Sequence, residues 1–167
     1  INSYPKPVIM LAEGAAMAGG LGMLCAGDIV VVTEDCKFAL TETTLGIPPA
    51  QIAPFVSQRI GLAKARRIML TAARFTGKEA HEMGLADFVA KDADDLKVIE
   101  ADIKKGVLKC APGANAVTKE IVLATRHLTR KEMIEFAAKG FAERMLSDEG
   151  KEGISSFIEK RKPKWSK

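Results

Sequence analysis

The glycine-rich stretch at residues 14–28, GAAMAGGLGMLCAGD, constrains the fold of this chain more than any other feature. Apolar runs flank it on both sides and predict buried strands at 8–13 and 29–33. The stretch between them predicts a tight turn followed by a short helix of small residues. The start of a helix presents unpaired backbone N–H groups and favours negative charge. We therefore predict that Gly19 and Gly20 lie on a turn whose N–H group polarises a carbonyl oxygen.

Of two other interpretations of these glycines, only the second stays open. A dinucleotide-binding loop is disfavoured, because Gly20-x-Gly22 is followed by Cys25 where that motif needs a third small residue. The glycines could instead serve only to let a helix pack closely on a strand.

Composition limits the class of protein. The chain has 167 residues, 47% of them hydrophobic and 28% charged, which is typical of one globular domain or part of one. No apolar run approaches the ~20 residues that a membrane helix needs. The three cysteines are widely spaced, and the two histidines lie far apart in the sequence. We therefore expect a reducing cytoplasmic location, no zinc site and no disulfide scaffold.

The net charge of +4 comes from the end of the chain. Residues 151–167 contain six basic and two acidic residues, so the rest of the chain is neutral. This pattern argues against a broad nucleic-acid surface and indicates either a local anionic contact or a solvated end.

The remaining patterns predict short strands first and helices afterwards. Further strands are predicted at 37–40 and 85–89, with an irregular loop at 41–50. The predicted helices share apolar periodicity and clear start or stop signals. The first begins at Pro54 and breaks at Gly61, and a second continues over 62–72. Further helices are predicted at 76–84, from Asp92 or Asp94 to 109, and at 114–127, 129–146 and 151–162. Such an order indicates an α/β spiral core at 1–90 and a helical region at 91–167.

Glu42 is the only acidic residue between Phe38 and Pro54. It stands among threonines and prolines, close to an apolar segment. A carboxylate held there can act as a general acid and base, although most glutamates lie on the surface and simply bond within their own loop. Together with an N–H donor at Gly19, Glu42 would have what enolate chemistry at a thioester requires.

Several motifs, in order along essentially the whole chain, resemble the enoyl-CoA hydratase/isomerase (crotonase) superfamily. They are KPVI at 6–9, GAAMAGG at 14–20, GDI at 27–29, FALTETTLGIPP at 38–49, TGKEA at 76–80, GLA at 84–86, KEGI at 151–154 and FIEKRK at 157–162. The resemblance implies an α/β fold, the C-terminal part of a crotonase-like ββα spiral followed by a helical C-terminal region. It also implies that an N-terminal part of the family domain, with the first oxyanion donor, is absent or lies on a separate chain.

A finer resemblance is to the isohexenylglutaconyl-CoA hydratases. LGIPPAQIAPFV at 45–56, CAPGANA at 110–116 and KRKPKW at 160–165 carry it. It implies hydration of an α,β-unsaturated, branched glutaconyl-type acyl-CoA by a homotrimer or a dimer of trimers. It implies no metal and no separate cofactor, because coenzyme A is part of the substrate.

The resemblance assigns roles residue by residue. Gly19 would supply the second oxyanion donor and Glu42 the catalytic carboxylate. The remaining positions would bind the substrate or its coenzyme A; they are Ala18, Gly20, Gly22, Ile47 and Pro49 for the substrate, and Phe141 and Lys160 for coenzyme A.

One departure leaves the reaction open. Hydratases with two glutamates carry the second at the position of Gly22, whereas Δ3,Δ2-enoyl-CoA isomerases use a single glutamate. Hydration is the leading prediction, and isomerisation through Glu42 alone is the alternative. A binding protein that kept the fold without the chemistry is a third possibility.

Overall fold

The computed structural model describes residues 1–166, and the chain divides into two compact units. One unit contains residues 1–2 and 8–102, and the other contains residues 3–7 and the chain after residue 102. All strands of the described residues belong to the first unit. The sequence predicts a core at residues 1–90 and a helical region at 91–167 as separate domains, and that division stays a prediction.

The first sheet of this unit is entirely parallel. Its strands are β1 (Ile9–Ala12), β3 (Ile29–Thr33) and β6 (Phe88–Ala90), in the order β1-β3-β6. β3 is central and carries the valine run 30–32, which is fully buried. Continuous burial of this kind is what a central parallel strand covered on both faces requires.

The second sheet is mixed. Its strands are β2 (Ala15–Met17), β4 (Lys37–Ala39) and β5 (Arg74–Thr76). β4 is central, parallel to β2 and antiparallel to β5. Phe38 of β4 and Phe75 of β5 stack with their ring centroids 5.4 Å apart, in the core of the unit.

The helices follow the predicted order, with α1–α4 in the first unit and α5 passing into the second. They are α1 (Gly19–Cys25), α2 (Ala53–Ile60), α3 (Leu62–Leu70), α4 (Gly77–Glu82), α5 (Ala93–Val107), α6 (Pro112–Ala124), α7 (Arg130–Leu146) and α8 (Asp148–Ile158), with one 3₁₀ turn at Glu42–Leu45. None of the helices found in residues 1–166 has the length and apolar character needed to cross a membrane.

Three local predictions were wrong. β2 lies inside the segment predicted as turn and helix, and β5 was not predicted; both are three-residue strands that exist because they pair with β4. α8 starts at Asp148, three residues before the start predicted at residue 151. The Ser147 hydroxyl accepts a hydrogen bond from Gly150 N at 3.1 Å and so caps the helix at that point.

A half-buried arginine, Arg59, ties α2 to the loops that surround the first sheet. The guanidinium of Arg59 donates to the carbonyl oxygens of Leu85 and Gly27, the latter at 3.1 Å, and pairs with the Asp87 carboxylate. Asp87 also accepts from Val30 N at 2.7 Å. The Arg59 side chain is only 11% exposed, so these partners replace the water it has lost.

A second arginine fixes the end of α8 in the other unit. Arg161 donates to Glu152 through both terminal nitrogens, at 2.6 and 3.1 Å, and Lys164 N donates to the same carboxylate at 3.0 Å. These hydrogen bonds hold the pKa of Glu152 at about 2, below its usual value of 4.5.

Replacing Arg59 by methionine should lower the free energy of unfolding by about 2–3 kcal/mol. The change leaves two partly buried carbonyl acceptors without a donor and the Asp87 carboxylate without its counter-charge. Urea denaturation of the whole protein measures the effect. Arg66→Met, on an exposed position of α3, is the control and should change stability by less than ~0.5 kcal/mol. Equal effects of the two changes would contradict this account.

Glu152 should make stability depend on acid pH. Its carboxylate has a lowered pKa in the folded state, so its contribution is complete above pH 4.5 and is lost as pH falls towards about 2. Urea midpoints measured between pH 6 and 2 should fall less steeply in Glu152→Gln than in the wild type. Glu135→Gln, at an exposed site of α7, is the control, and its urea midpoints should depend on pH as those of the wild type do. If the midpoints of E152Q also follow the wild type, the role assigned to Glu152 is refuted.

Candidate active site

Two parallel strands bring the principal candidate residues to the same edge of a sheet. β2 and β4 pair in register, Met17 opposite Ala39. Gly19 follows the end of β2 and Glu42 follows the end of β4. Since the carboxyl ends of parallel strands lie at one edge, the chain turns off both strands into the same region, where α/β proteins commonly bind their ligands.

The Gly19 side of the site begins with a strained residue. Ala18 has φ 46° and ψ −119°, a conformation that an alanine rarely adopts. Its N–H donates to Ala39 O at 2.9 Å, and its carbonyl accepts from Gly22 N at 3.2 Å. Gly19 is then the first residue of α1, so its N–H has no carbonyl one turn back within the helix to donate to.

The Glu42 side is held by backbone hydrogen bonds within its loop. The residue opens a 3₁₀ turn that ends at Gly46, which has a left-handed φ of 76°. Ile47 N donates to the Glu42 carbonyl at 3.2 Å, and the Thr43 hydroxyl donates to Met69 O on α3 at 3.1 Å. The backbone at Glu42 is therefore held to the end of its own turn and, through the next residue, to α3.

The carboxyl of Glu42 does not lie free on the surface. The residue is half-buried, and its Oε2 is buried with no hydrogen-bond partner. At this oxygen, nothing supports the alternative of a surface glutamate bonding within its own loop. A buried acceptor without a partner costs free energy, and such atoms in native structures often mark functional positions.

Gly19 and Glu42 line one hollow of about 370 Å³, together with residues 48–52. Pro49, a predicted substrate-binding residue, is among them. Space for a ligand exists at Gly19 itself, because a Cβ added there would meet no atom within 4 Å. Three residues predicted from the sequence, Gly19, Glu42 and Pro49, thus line the same hollow.

Other predicted substrate-binding residues lie near the hollow without lining it. Ala18 and Gly20 flank Gly19, and the Ala18 N–H is already engaged by Ala39. Ile47 is 54% exposed. Gly22 is buried on α1 beneath Ile52, whose side chain would clash with any Cβ there.

Sequence reasoning missed Ile52 as part of the site. Its side chain lines the hollow and covers Gly22. Its place after the rigid pair Pro48–Pro49 was the signal that could have identified it, since the two prolines limit where the following residues can go. One alternative for the glycines was that they only allow close packing. This holds at Gly22, where Ile52 packs against the helix, and not at Gly19, where a Cβ would meet no atom within 4 Å.

Neither a buried cysteine nucleophile nor a cluster of metal ligands is found among the described residues. Burial raises the pKa of the Cys25 thiol to about 12 and that of Cys36 to about 11. Both remain protonated at neutral pH, whereas a nucleophilic cysteine acts as the thiolate. In the described part of the chain, no three His, Cys, Asp or Glu residues come together as a metal site.

Phe141 and Lys160, predicted to contact coenzyme A, belong to the second unit. Phe141 is 66% exposed and lines an apolar groove of about 270 Å³ between helices of that unit. Lys160 lies two residues beyond the end of α8 with a left-handed φ of 54°, and Arg161 N donates to Ser156 O at 3.0 Å, as is common after a helix end. The role of each in binding coenzyme A stays a prediction.

Two small sheets with a helix start and a carboxylate at the ends of parallel strands define a crotonase-type α/β fold. The chain belongs to the enoyl-CoA hydratase/isomerase family, whose model matches residues 1–167. The fold class predicted from the sequence is confirmed by the solved structure of Pseudomonas aeruginosa AtuE. That structure superposes with a TM-score of 0.97 at 44% identity, over 99% of this chain and 64% of that one.

Curated relatives include both kinds of enzyme that the family name covers. A Bacillus subtilis protein named "Probable enoyl-CoA hydratase" is 35% identical over 99% of this chain and 64% of its own length. The peroxisomal Delta(3,5)-Delta(2,4)-dienoyl-CoA isomerase of Arabidopsis thaliana is 31% identical over 100% of this chain and 60% of its own. The chain therefore spans less than two-thirds of the length of these relatives.

Replacing Glu42 by alanine should stabilise the protein. The change removes the buried Oε2 that has no partner, and we expect the free energy of unfolding to rise by roughly 1 kcal/mol. Urea denaturation of Glu42→Ala and of the wild type measures it. Glu42→Gln is the matched comparison, because it keeps a polar group in the same place and should bring no such gain. A loss of stability above ~1 kcal/mol in E42A would show that the carboxyl is held by stabilising contacts.

Proposed function

We propose that the whole protein acts on an α,β-unsaturated acyl-CoA thioester and stabilises an enolate in the hollow between Gly19 and Glu42. The observation that carries this proposal is the presence of a helix-start N–H and a half-buried carboxylate on one hollow. The family and the hydratase named among its relatives support the same class of chemistry.

The first step divides the work between the two groups. As the Glu42 carboxylate accepts a proton from water, the water oxygen bonds to C3 and the C2–C3 π electrons move towards the thioester. The carbonyl oxygen becomes an enolate oxygen, which the Gly19 N–H stabilises; one such donor contributes about 3 kcal/mol in the transition state. Glu42 then returns its proton to C2, so one carboxyl group completes the addition of water.

A single-carboxylate isomerisation is the second candidate. Gly22 stands where a second glutamate would be needed for a carboxylate pair, and Ile52 fills the space beside it. With Glu42 alone, a proton can be removed from C2 of a 3-enoyl thioester and returned at C4 through the same enolate. The dienoyl-CoA isomerase among the relatives supports this alternative.

For hydration, a branched glutaconyl-type thioester remains the proposed substrate.

The binding of coenzyme A and the assembly are also proposals. Phe141 and Lys160 would contact the nucleotide, and the whole protein would form a homotrimer or a dimer of trimers. Support comes from large apolar side chains left exposed on α7 and α8, among them Phe157 at 85% and Leu146 at 75% exposure. Exposed apolar groups of this kind commonly mark an interface between proteins.

Glu42→Gln should lower kcat by about 10²–10⁴ with little change in KM, because glutamine cannot transfer the proton yet keeps the shape of the side chain. Turnover of 2-enoyl-CoA and 3-enoyl-CoA by the whole protein, followed by mass spectrometry of the thioesters, measures it. Gain of one water indicates hydration, and an unchanged mass with a change in the ultraviolet absorbance of the double bond conjugated to the thioester indicates isomerisation.

Glu34→Gln, the same change at an exposed position, is the control and should keep wild-type turnover. Wild-type activity in E42Q would refute the catalytic role of Glu42. Turnover of 3-enoyl thioesters without hydration of 2-enoyl thioesters would establish the isomerase alternative.

A further inference from the structure

Ile52 and Gly22 form a tightly packed pair behind the hollow. A Cβ placed on Gly22 would lie closer than 3.0 Å to both Cγ2 and Cβ of Ile52, and 3.5 Å from its Cα. These are atoms at and next to the branch of a β-branched side chain, which has little freedom at χ1. Any residue larger than glycine at position 22 must therefore displace Ile52.

The backbone of Ile52 cannot easily move away. Ile52 N donates to Pro49 O at 3.2 Å, and Ile52 O accepts from Val56 N at 3.1 Å in the first turn of α2. The side chain is half-buried, packs against the core of the unit and lines the hollow with Gly19 and Glu42. A push from position 22 is thus transmitted to the wall of the hollow.

We propose that Ile52 is the specificity-determining residue of this hollow and that Gly22 is a positioning residue that acts through it. The inference rests on the proposed function. If the thioester carbonyl lies at Gly19 and C2 lies within reach of Glu42, a substituent at C3 must share the hollow with the Ile52 side chain. The width left by Ile52 then limits branching at C3.

A double-mutant cycle tests the proposal in the whole protein, with crotonyl-CoA and 3-methylcrotonyl-CoA as probes. The quantity measured is the ratio of kcat/KM for the branched over the unbranched thioester. Ile52→Ala widens the hollow and should raise this ratio tenfold or more, in the range by which one methyl group changes discrimination. Gly22→Ala pushes Ile52 into the hollow and should lower the ratio by a similar factor.

The coupling between the two positions is the decisive result. In the double variant Gly22→Ala/Ile52→Gly, no Cβ remains at position 52, and the nearest atom there to the new alanine Cβ is the Cα at 3.5 Å, so the ratio should equal that of Ile52→Gly alone. Effects that simply multiply would refute the role of Gly22 as a residue that acts through Ile52. An unchanged ratio in I52A would overturn the assignment of Ile52. Ile52→Val, which shortens the side chain by one methyl and should fold normally, must shift the ratio in the same direction by less.

The matched control is Gly106→Ala. It makes the same change at a helical position where a Cβ meets open space, and the ratio should not change. Calorimetric affinities of the same two thioesters separate this proposal from the proposed function. Binding that follows the predicted ratios without turnover would refute the reaction and support the role of Ile52. Binding of neither thioester by the wild type would refute both.

Discussion

The parallel pairing of β2 with β4 is the interaction on which the candidate site depends. Each strand has only three residues, and neither would persist without the other and without β5 on the far side of β4. Their register sets Met17 opposite Ala39, and the hydrogen bond from Ala18 N to Ala39 O extends that pairing into the turn. The N–H at Gly19 and the carboxyl at Glu42 are neighbours because these two strands end together.

The hollow and the residue that precedes Gly19 contain features that folding alone would not favour. The strained backbone of Ala18 costs on the order of 1–3 kcal/mol, and the buried oxygen of Glu42 lacks a partner. Such a site persists only where the surrounding packing fixes it. The stacked rings of Phe38 and Phe75, the buried valines of β3 and the Arg59 contacts supply that support in the same unit.

Local sequence signals predicted most of the secondary structure. The break at Gly61 is confirmed by its φ of 78°, and the capping boxes that open at Thr76 and Thr129 are both formed. Asp92, one of the two residues at which this helix was predicted to start, accepts hydrogen bonds from the N–H groups at 94 and 95. These signals act over three or four residues, so they can be identified without knowing the fold. The strands β2 and β5 could not be identified from the sequence, because a run of three residues carries too little pattern of its own. Each strand forms only by pairing with a distant part of the chain.

The sequence by itself determined the order of the elements, the family resemblance and the two residues that carry the proposed chemistry. A glycine at a helix start and one acid in a proline-rich loop are local facts, visible in the letters. Only the tertiary structure decided that Gly19 and Glu42 line one hollow and that Ile52 occupies the space beside Gly22. Those relations join residues more than twenty positions apart, and chain contacts over such separations are set by sheet register and side-chain packing rather than by local pattern.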